Sequence, residues 1–137
     1  MRYSLTAAIF LLLALICSGR VSAAGPLAES ASPYLRLHAA DAIAWRPWGE
    51  EALAEAKRLE RPIFLSIGYA SCHWCHVLSR TTFADERVIT LLNGHFVSIL
   101  VDREQRPDID AHFMEVLGAM RSWRGAPANF LLTSDLD

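Results

Sequence analysis

The stretch that decides the fold is Pro62-Ile63-Phe64-Leu65-Ser66-Ile67-Gly68-Tyr69-Ala70-Ser71-Cys72-His73-Trp74-Cys75-His76. Its first part is a short apolar run between a proline and a glycine, which is typical of a buried central strand. Its second part carries two cysteines spaced C-x-x-C, and we expect Ser71 to cap a helix that holds both of them. A buried strand that leads through a short loop into a cysteine-bearing helix indicates an α/β domain.

The cysteine spacing is compatible with three chemistries. A C-x-x-C pair can close and reopen a disulfide, and with His76 the same residues spell the attachment signature of c-type haem. The cysteines and their neighbouring histidines could also bind zinc, although a structural zinc site normally has a second ligand pair. Haem domains of this type are mostly helical, and the remaining histidines occur singly, where we expect surface or capping positions: His38, His95 and His112. The pattern favours redox exchange and leaves haem and metal binding as alternatives.

The position of each cysteine on the helix predicts its role. Cys72 would lie at the helix N-terminus, where unpaired N–H groups and the helix dipole stabilise a thiolate. We therefore expect Cys72 to be the nucleophile and Cys75 to resolve the mixed disulfide. His73 can carry positive charge and lower the pKa of Cys72, and Trp74 offers an apolar face to a partner peptide, with a packing role as its alternative. No cofactor is needed, because the disulfide itself carries two electrons.

The rest of the chain alternates between helical and extended patterns. Helices are predicted over residues 49–59, 83–92 and 108–120, and strands over 63–67, 96–101 and 128–132. This order predicts an α/β fold whose sheet contains parallel strands. Ser32-Pro33 reads as a turn or cap with Tyr34, Leu35 and Leu37 as packing anchors. The final residues resemble the start of a hairpin.

The N-terminus has the features of an export signal. Arg2 precedes an apolar run over residues 5–16, and Val21-Ser22-Ala23 fits a signal-peptidase site. The run is shorter than the roughly 20 residues of a membrane span. A retained anchor, or a lipoprotein attached through Cys17, is the alternative. We therefore predict a signal peptide at 1–23, one domain at 24–137, and a periplasmic or secreted location with membrane contact only through the signal.

The charge balance gives no reason to expect a nucleic-acid partner. The whole chain has 13 basic and 15 acidic residues, a formal net charge of −2. Removal of residues 1–23 takes away two arginines and no acidic residue, so the charge becomes −4. No basic patch remains that could neutralise phosphates.

Two segments, residues 62–69 and 71–77, closely resemble the N-terminal thioredoxin-like domain of the spermatogenesis-associated thioredoxin-domain family, the C-H-W-C type of the thioredoxin superfamily. The resemblance extends over nearly all of residues 24–137 and includes four further segments: Ser32-Pro33-Tyr34-Leu35, Pro47-Trp48-Gly49-Glu50, Phe83-Ala84-Asp85 and Val101-Asp102-Arg103-Glu104. It implies a thioredoxin-like, three-layer α/β/α fold with a central mixed sheet whose C-terminal hairpin and helix are missing. It also implies that Pro127 matches the cis-proline beside the cysteine pair and, with Ala126, shapes a substrate groove.

Two departures from the family pattern concern the site. Many members carry Gly-Trp before the proline, where this chain has Gly125-Ala126, so a different groove is expected. Many thioredoxins place a buried acid six residues before the first cysteine, where it takes the proton of the resolving cysteine, and that position here is Ser66. For Asp102-Arg103-Glu104, an exposed charge cluster is the alternative to a family role.

The resemblance implies a thiol–disulfide oxidoreductase. We expect its partners to be protein or peptide thiols and disulfides, together with a thiol relay that resets the cysteine pair. The alternative is a non-catalytic binding module with the same fold, and Ser66 in place of the buried acid keeps that alternative open.

Overall fold

The computed structural model describes residues 25–120 and 124–136 of the 137-residue chain. The predicted signal peptide and Trp123 lie outside the described residues. Within them the order of elements is α1 (Pro33–Leu37), β1 (Arg46–Pro47), α2 (Glu50–Leu59), β2 (Ile63–Gly68), α3 (His73–Arg80), α4 (Glu86–His95), β3 (Val97–Asp102), α5 (Pro107–Met120) and β4 (Ala128–Leu132). A short 3-10 turn, Thr82–Ala84, joins α3 to α4. The predicted alternation of helix and strand is confirmed, with β1 as a short strand that the sequence pattern did not indicate.

The strands form one mixed sheet in the order β1-β3-β2-β4. Strands β1 and β2 both run parallel to β3, whereas β4 runs antiparallel to β2. The parallel register of β2 and β3 runs from Ile63 opposite Val97 to Gly68 opposite Asp102. A parallel pair needs a crossover connection, and α3 and α4 supply it. This confirms the predicted α/β class with a central mixed sheet.

Side chains of β2 alternate between two apolar cores, one on each face of the sheet. Ile63, Leu65 and Ile67 are fully buried in a core that α2 and α5 close from outside. Phe64 points to the opposite face, which carries a second core that includes Cys72, Cys75 and Tyr34. Helices therefore cover both faces and give three layers, and the cysteine pair belongs to the core of one face only.

Local charges and caps explain the helix boundaries. Helix α2 begins with Glu50 and Glu51 and ends with Lys57 and Arg58, which suits the helix dipole at each end. Helix α4 begins after Asp85, whose carboxylate accepts the N–H of Arg87 at 2.8 Å. In the part of the chain that the structure describes, no helix is long and apolar enough to cross a membrane.

Two local predictions were wrong. Leu37 is 61% exposed and is no packing anchor, because it is the last residue of the short helix α1. The helix predicted over residues 83–92 ends too early, because α4 continues through Asn93 and Gly94 to His95. The amide of Asn93 bonds the backbone of Ala42 and Ala44, so a tertiary contact stabilises a residue that otherwise favours helix ends.

Candidate functional site

The cysteine pair lies where strand β2 passes into helix α3. Cys72 is the N-cap of α3, and Cys75 lies in its first turn. The two form a disulfide with their Cα atoms 5.3 Å apart, and each is only 3% exposed. The N–H of Cys75 donates to Cys72 Sγ at 3.2 Å. The prediction that Ser71 caps the helix was therefore wrong, because the sulfur of Cys72 takes the place of the capping hydroxyl.

This cap has a chemical consequence for Cys72. An amide N–H that donates to the sulfur of a disulfide also donates to the same sulfur as a thiolate, and charge strengthens such a bond. The helix dipole acts in the same direction. Cys72, rather than Cys75, therefore has the surroundings of a stabilised thiolate.

The loop before Cys72 is attached to the helix that follows it. The N–H of Cys72 donates to the carbonyl of Tyr69 at 3.1 Å. His76 Nε2 lies 2.7 Å from the carbonyl oxygen of Ala70, and because a carbonyl only accepts, Nε2 must carry a proton and donate. His76 therefore fixes the loop that positions Cys72.

This arrangement does not suit haem attachment. Thioether attachment would need both sulfurs, which here bond to each other. Axial ligation through Nε2 of His76 would need a lone pair on that nitrogen, and Nε2 donates to the carbonyl of Ala70 instead. For metal ions, the described ranges contain no group of three or more histidine, cysteine, aspartate or glutamate side chains arranged to hold one.

The two residues between the cysteines are exposed. Trp74 is 66% exposed, so the packing alternative for this residue is wrong. The ring of His73 meets that of Trp74 edge to face at 5.3 Å. Among the hydrogen bonds of the described residues none joins His73 to Cys72, so its tuning role stays a prediction.

Ala126 and Pro127 lie beside the same core. The peptide bond between them is cis, as the family resemblance implied. Pro127 directly precedes β4, in which Ala128 pairs with Ile67 at the end of β2 that leads to the cysteines. Ala126 packs against the core that contains both cysteines. Their role in a substrate groove stays a prediction.

Gly68 brings a tyrosine against Cys75, which the sequence did not predict. A Cβ added at Gly68 would lie under 3.0 Å from the hydroxyl oxygen of Tyr34, from its ring carbon Cζ and from Cys75 Sγ. The tyrosine hydroxyl and the sulfur are therefore neighbours around one small space that only a glycine leaves open. Tyr34 is 3% exposed, so its hydroxyl belongs to the interior of the site.

Asp102 lies on the same face of the sheet and is buried. It pairs with Gly68 in the parallel register, and paired residues project to the same face. The hydroxyl of Ser32 donates to its Oδ2 at 2.5 Å, and the N–H of Glu104 donates to its Oδ1 at 2.9 Å. The exposed charge cluster is therefore the wrong interpretation of Asp102. The available signal was an aspartate that ends an otherwise apolar strand.

A buried polar network surrounds Tyr34. Burial foremost, and then the negative charges of Asp102 and Asp41, raise the pKa of Tyr34 far above its ordinary value. His38 meets the tyrosine ring edge to face at 4.9 Å and donates from Nδ1 to Asp41 at 2.7 Å. His38 is the buried C-cap of α1, which confirms the predicted capping position for this histidine, while His95 and His112 are exposed, as a surface position predicts.

Comparisons with known proteins agree with this geometry. A family model described as "Thioredox_DsbH: Protein of unknown function, DUF255" matches residues 24–137. The chain is 47% identical over 113 residues to spermatogenesis-associated protein 20 of Rattus norvegicus, an alignment that covers 82% of this chain and 14% of the relative. The chain therefore spans about a seventh of the length of the curated relatives it matches.

Solved structures share the architecture. A structure titled "DsbH Oxidoreductase" matches with a TM-score of 0.56 at 17% identity and covers 69% of this chain and 68% of its own. A disulphide isomerase from Xylella fastidiosa Temecula1 matches with a TM-score of 0.53 at 22% identity, covering 64% of this chain and 65% of its own. At these identities the similarity shows a thioredoxin-like fold.

Proposed function

The chain belongs to the Thioredox_DsbH (DUF255) family and carries a close Cys72–Cys75 pair on a thioredoxin-like fold, and we propose that it is an exported thiol–disulfide oxidoreductase that acts on protein or peptide thiols. The family that the sequence resemblance indicated is confirmed by the family model and by the 47% identical rat relative. One observation carries the proposal: the pair closes a disulfide at the N-terminus of α3, with an amide N–H directed at Cys72 Sγ. This is the arrangement that a nucleophilic thiolate requires.

The reaction uses the two cysteines in turn. The Cys72 thiolate attacks a sulfur of the substrate disulfide, forms a mixed disulfide and releases one substrate thiol. Cys75 then attacks Cys72 Sγ, closes the Cys72–Cys75 disulfide and releases the second substrate thiol. Two electrons pass from the cysteine pair to the substrate, and a relay thiol of another protein returns them. The reverse sequence oxidises a dithiol substrate.

The surface around the pair suits an extended peptide. Both cysteines are nearly covered, while Trp74 beside them presents most of its ring to solvent. Ala126 packs on the same core, and the Ala126–Pro127 peptide precedes strand β4. We expect a substrate to approach between Trp74 and this peptide, with His73 adjusting the potential of the pair. Of the two structural neighbours described above, one is titled a disulphide isomerase and the other an oxidoreductase, which supports the same class of reaction here.

Insulin-disulfide reduction with dithiothreitol as the reductant tests the proposal. We expect the wild-type chain to accelerate the reaction, Cys72→Ser to abolish the acceleration, and Cys75→Ser to accumulate a mixed disulfide. Cys17→Ser is the matched control, since this third cysteine lies outside the 24–137 domain, and it should behave as wild type. Activity that survives loss of Cys72 would contradict the mechanism. A wild-type chain without exchange would favour a binding module.

Export is tested separately. Expression of the full chain in a bacterial host, fractionation and mass spectrometry should recover a protein that begins at Ala24 outside the cytoplasm. Recovery of the intact chain from Met1 in the cytoplasm alone would contradict export and leave the redox proposal standing.

A further inference from the structure

The resolving step requires a proton acceptor near Cys75. A thiol must become a thiolate before it attacks a disulfide, and a buried cysteine loses its proton reluctantly. In the position where thioredoxins place a buried acid, this chain has Ser66, which is 2% exposed on the same face of β2 as Gly68. A serine hydroxyl is no base at neutral pH. Another group beside Cys75 must take up the proton.

Tyr34 and Asp102 both lie beside Gly68, next to Cys75. The Tyr34 hydroxyl and Cys75 Sγ share the space that Gly68 leaves open. Asp102 projects from β3 to the same face, directly across from Gly68, and its charge acts on the tyrosine hydroxyl. Each carboxylate oxygen of Asp102 accepts one hydrogen bond, from Ser32 or from Glu104, and retains a lone pair for a proton.

Asp102 also connects this interior to solvent. Together with Ser32, Gln105 and Arg106 it lines a cleft of about 190 Å³. A proton that arrives at Asp102 from the cysteine side can therefore leave on the cleft side. Ser66 has no such position, because it pairs with Leu100 and Asn129 in the middle of the sheet.

We propose that the Tyr34 hydroxyl and the Asp102 carboxylate form the proton route of the resolving cysteine, with Asp102 replacing the acid that is absent at Ser66. This inference rests on the proposed oxidoreductase function. Tyr34 acts directly on Cys75 Sγ, and Asp102 acts through Tyr34.

The chemical step balances within the site and its substrate. The S–H bond of Cys75 breaks as the tyrosine oxygen takes its proton and passes its own proton to Asp102. The electron pair on Cys75 sulfur forms the bond to Cys72 Sγ, and the bond between Cys72 and the substrate sulfur breaks. The departing substrate thiolate takes a proton from water, and Asp102 releases one into the cleft. Two cysteine thiols are oxidised over the full cycle, and one substrate disulfide is reduced to two thiols.

The other titratable and charged groups around this route have partners of their own. His38 pairs with Asp41 beside the Tyr34 ring, and Arg103 pairs with Asp110 and lies over the ring of Tyr69. His76 donates to the carbonyl of Ala70. They are the same in every variant below, so a difference between variants reports on Tyr34 and Asp102.

The test separates the two exchange steps by rapid mixing. The full chain carries Cys17→Ser, is fully reduced, and reacts with excess disulfide peptide before an acid quench that traps the mixed disulfide. We expect Tyr34→Phe and Asp102→Asn to form the mixed disulfide within about twofold of the wild-type rate. Its resolution should slow on the order of 100-fold, the usual contribution of positioned proton transfer. Ser66→Ala is the matched control and should resolve at the wild-type rate.

A second measurement distinguishes proton transfer from simple electrostatics. In chains that also carry Cys72→Ser, ultraviolet thiolate absorbance gives the pKa of Cys75. Asp102→Asn removes a like charge and should lower this pKa, whereas Tyr34→Phe removes a donor to the thiolate and should raise it. Both variants nevertheless slow resolution if the route is correct. If Asp102→Asn resolves the mixed disulfide as fast as wild type, or faster because the pKa of Cys75 is lower, the proposal is overturned.

The outcomes keep this inference apart from the proposed function. If the wild-type chain forms no mixed disulfide with the peptide, the oxidoreductase function itself fails. If wild type exchanges and Tyr34→Phe resolves at the wild-type rate, only the proton route fails. Tyr34→Phe keeps the ring and its contact with His38, so this arm decides the question even where Asp102→Asn does not fold.

Discussion

Replacement of Gly68 by alanine should destabilise the domain through one methyl group. That methyl would lie under 3.0 Å from the hydroxyl and Cζ of Tyr34 and from Cys75 Sγ, all in the interior. Neither neighbour can easily withdraw. Cys75 is covalently bonded to Cys72, and the Tyr34 ring is packed against His38.

The magnitude follows from the number of atoms that must move. Extra methylenes in a well-packed core cost typically about 1–3 kcal/mol, and three close contacts with confined partners place Gly68→Ala in the upper half of that range. In a domain of roughly 100 residues each kcal/mol lowers the melting temperature by about 4–8 °C. We therefore expect a decrease of about 10 °C or more for the oxidised protein.

Gly94→Ala is the matched control for the measurement. Gly94 lies within helix α4, and apart from its chain neighbours and the backbone of its own helix no heavy atom of the described residues lies within 4 Å of an added Cβ. Alanine favours a helix over glycine by roughly 1 kcal/mol, so this variant should melt a few degrees above wild type. Thermal unfolding followed by circular dichroism compares the three proteins. A Gly68→Ala chain with the same melting temperature as wild type would refute the packing of Tyr34 against Cys75.

Three further predictions concern stability and substrate binding. Because the pKa of Tyr34 is raised in the folded state, its contribution to the free energy of unfolding is fully present below about pH 10, the unfolded pKa, and is lost above that pH at about 1.4 kcal/mol per pH unit. Denaturant titrations at alkaline pH should show this slope in wild type and a shallower slope in Tyr34→Phe. Equal slopes would contradict the burial of the hydroxyl. Ser32→Ala removes the N-cap of α1 and a donor to Asp102, and should lower the free energy of unfolding in urea by about 2 kcal/mol. Ser71 is exposed and is not the N-cap of α3, so Ser71→Ala should change that free energy by no more than about 0.5 kcal/mol. Trp74→Ala should leave stability within about 0.5 kcal/mol but raise the KM for a peptide disulfide about tenfold, and an unchanged KM would remove Trp74 from the substrate surface.

Local patterns identified most of the elements that position the site. The apolar run of β2 and the spacing of Cys72 and Cys75 are properties of short segments, and the structure confirms both the strand and a disulfide between the cysteines. Helices α2, α4 and α5 and strands β2, β3 and β4 were predicted to within a few residues, and a helix was predicted at the cysteine pair, where α3 lies. Helix boundaries were less certain, because a cap depends on which side chain reaches the first free N–H. At α3 that side chain belongs to Cys72 and not to Ser71.

Predictions for single polar residues were less successful. His38 was expected at a surface or capping position, and Asp102, as one alternative, in an exposed charge cluster. His38 does cap α1, but both residues are buried, which the sequence did not predict. Each obtains its hydrogen-bond partner within the fold, His38 from Asp41 and Asp102 from Ser32. A polar residue is buried where such partners meet it, and sequence periodicity contains no information about them.

The sequence by itself determined the cysteine pair, the strand before it and the family, because covalent spacing and hydrophobic pattern are local properties. Only the tertiary structure decided what surrounds Cys75. Ser32 and Asp102 are 70 residues apart in the chain, and the register of β2 on β3 places Asp102 beside Gly68. Tyr34 reaches Cys75 because Gly68 has no side chain in the intervening space. Strand register and the packing of distant segments are set by contacts that form when the whole sheet is assembled, and those contacts place the proposed proton route next to the disulfide.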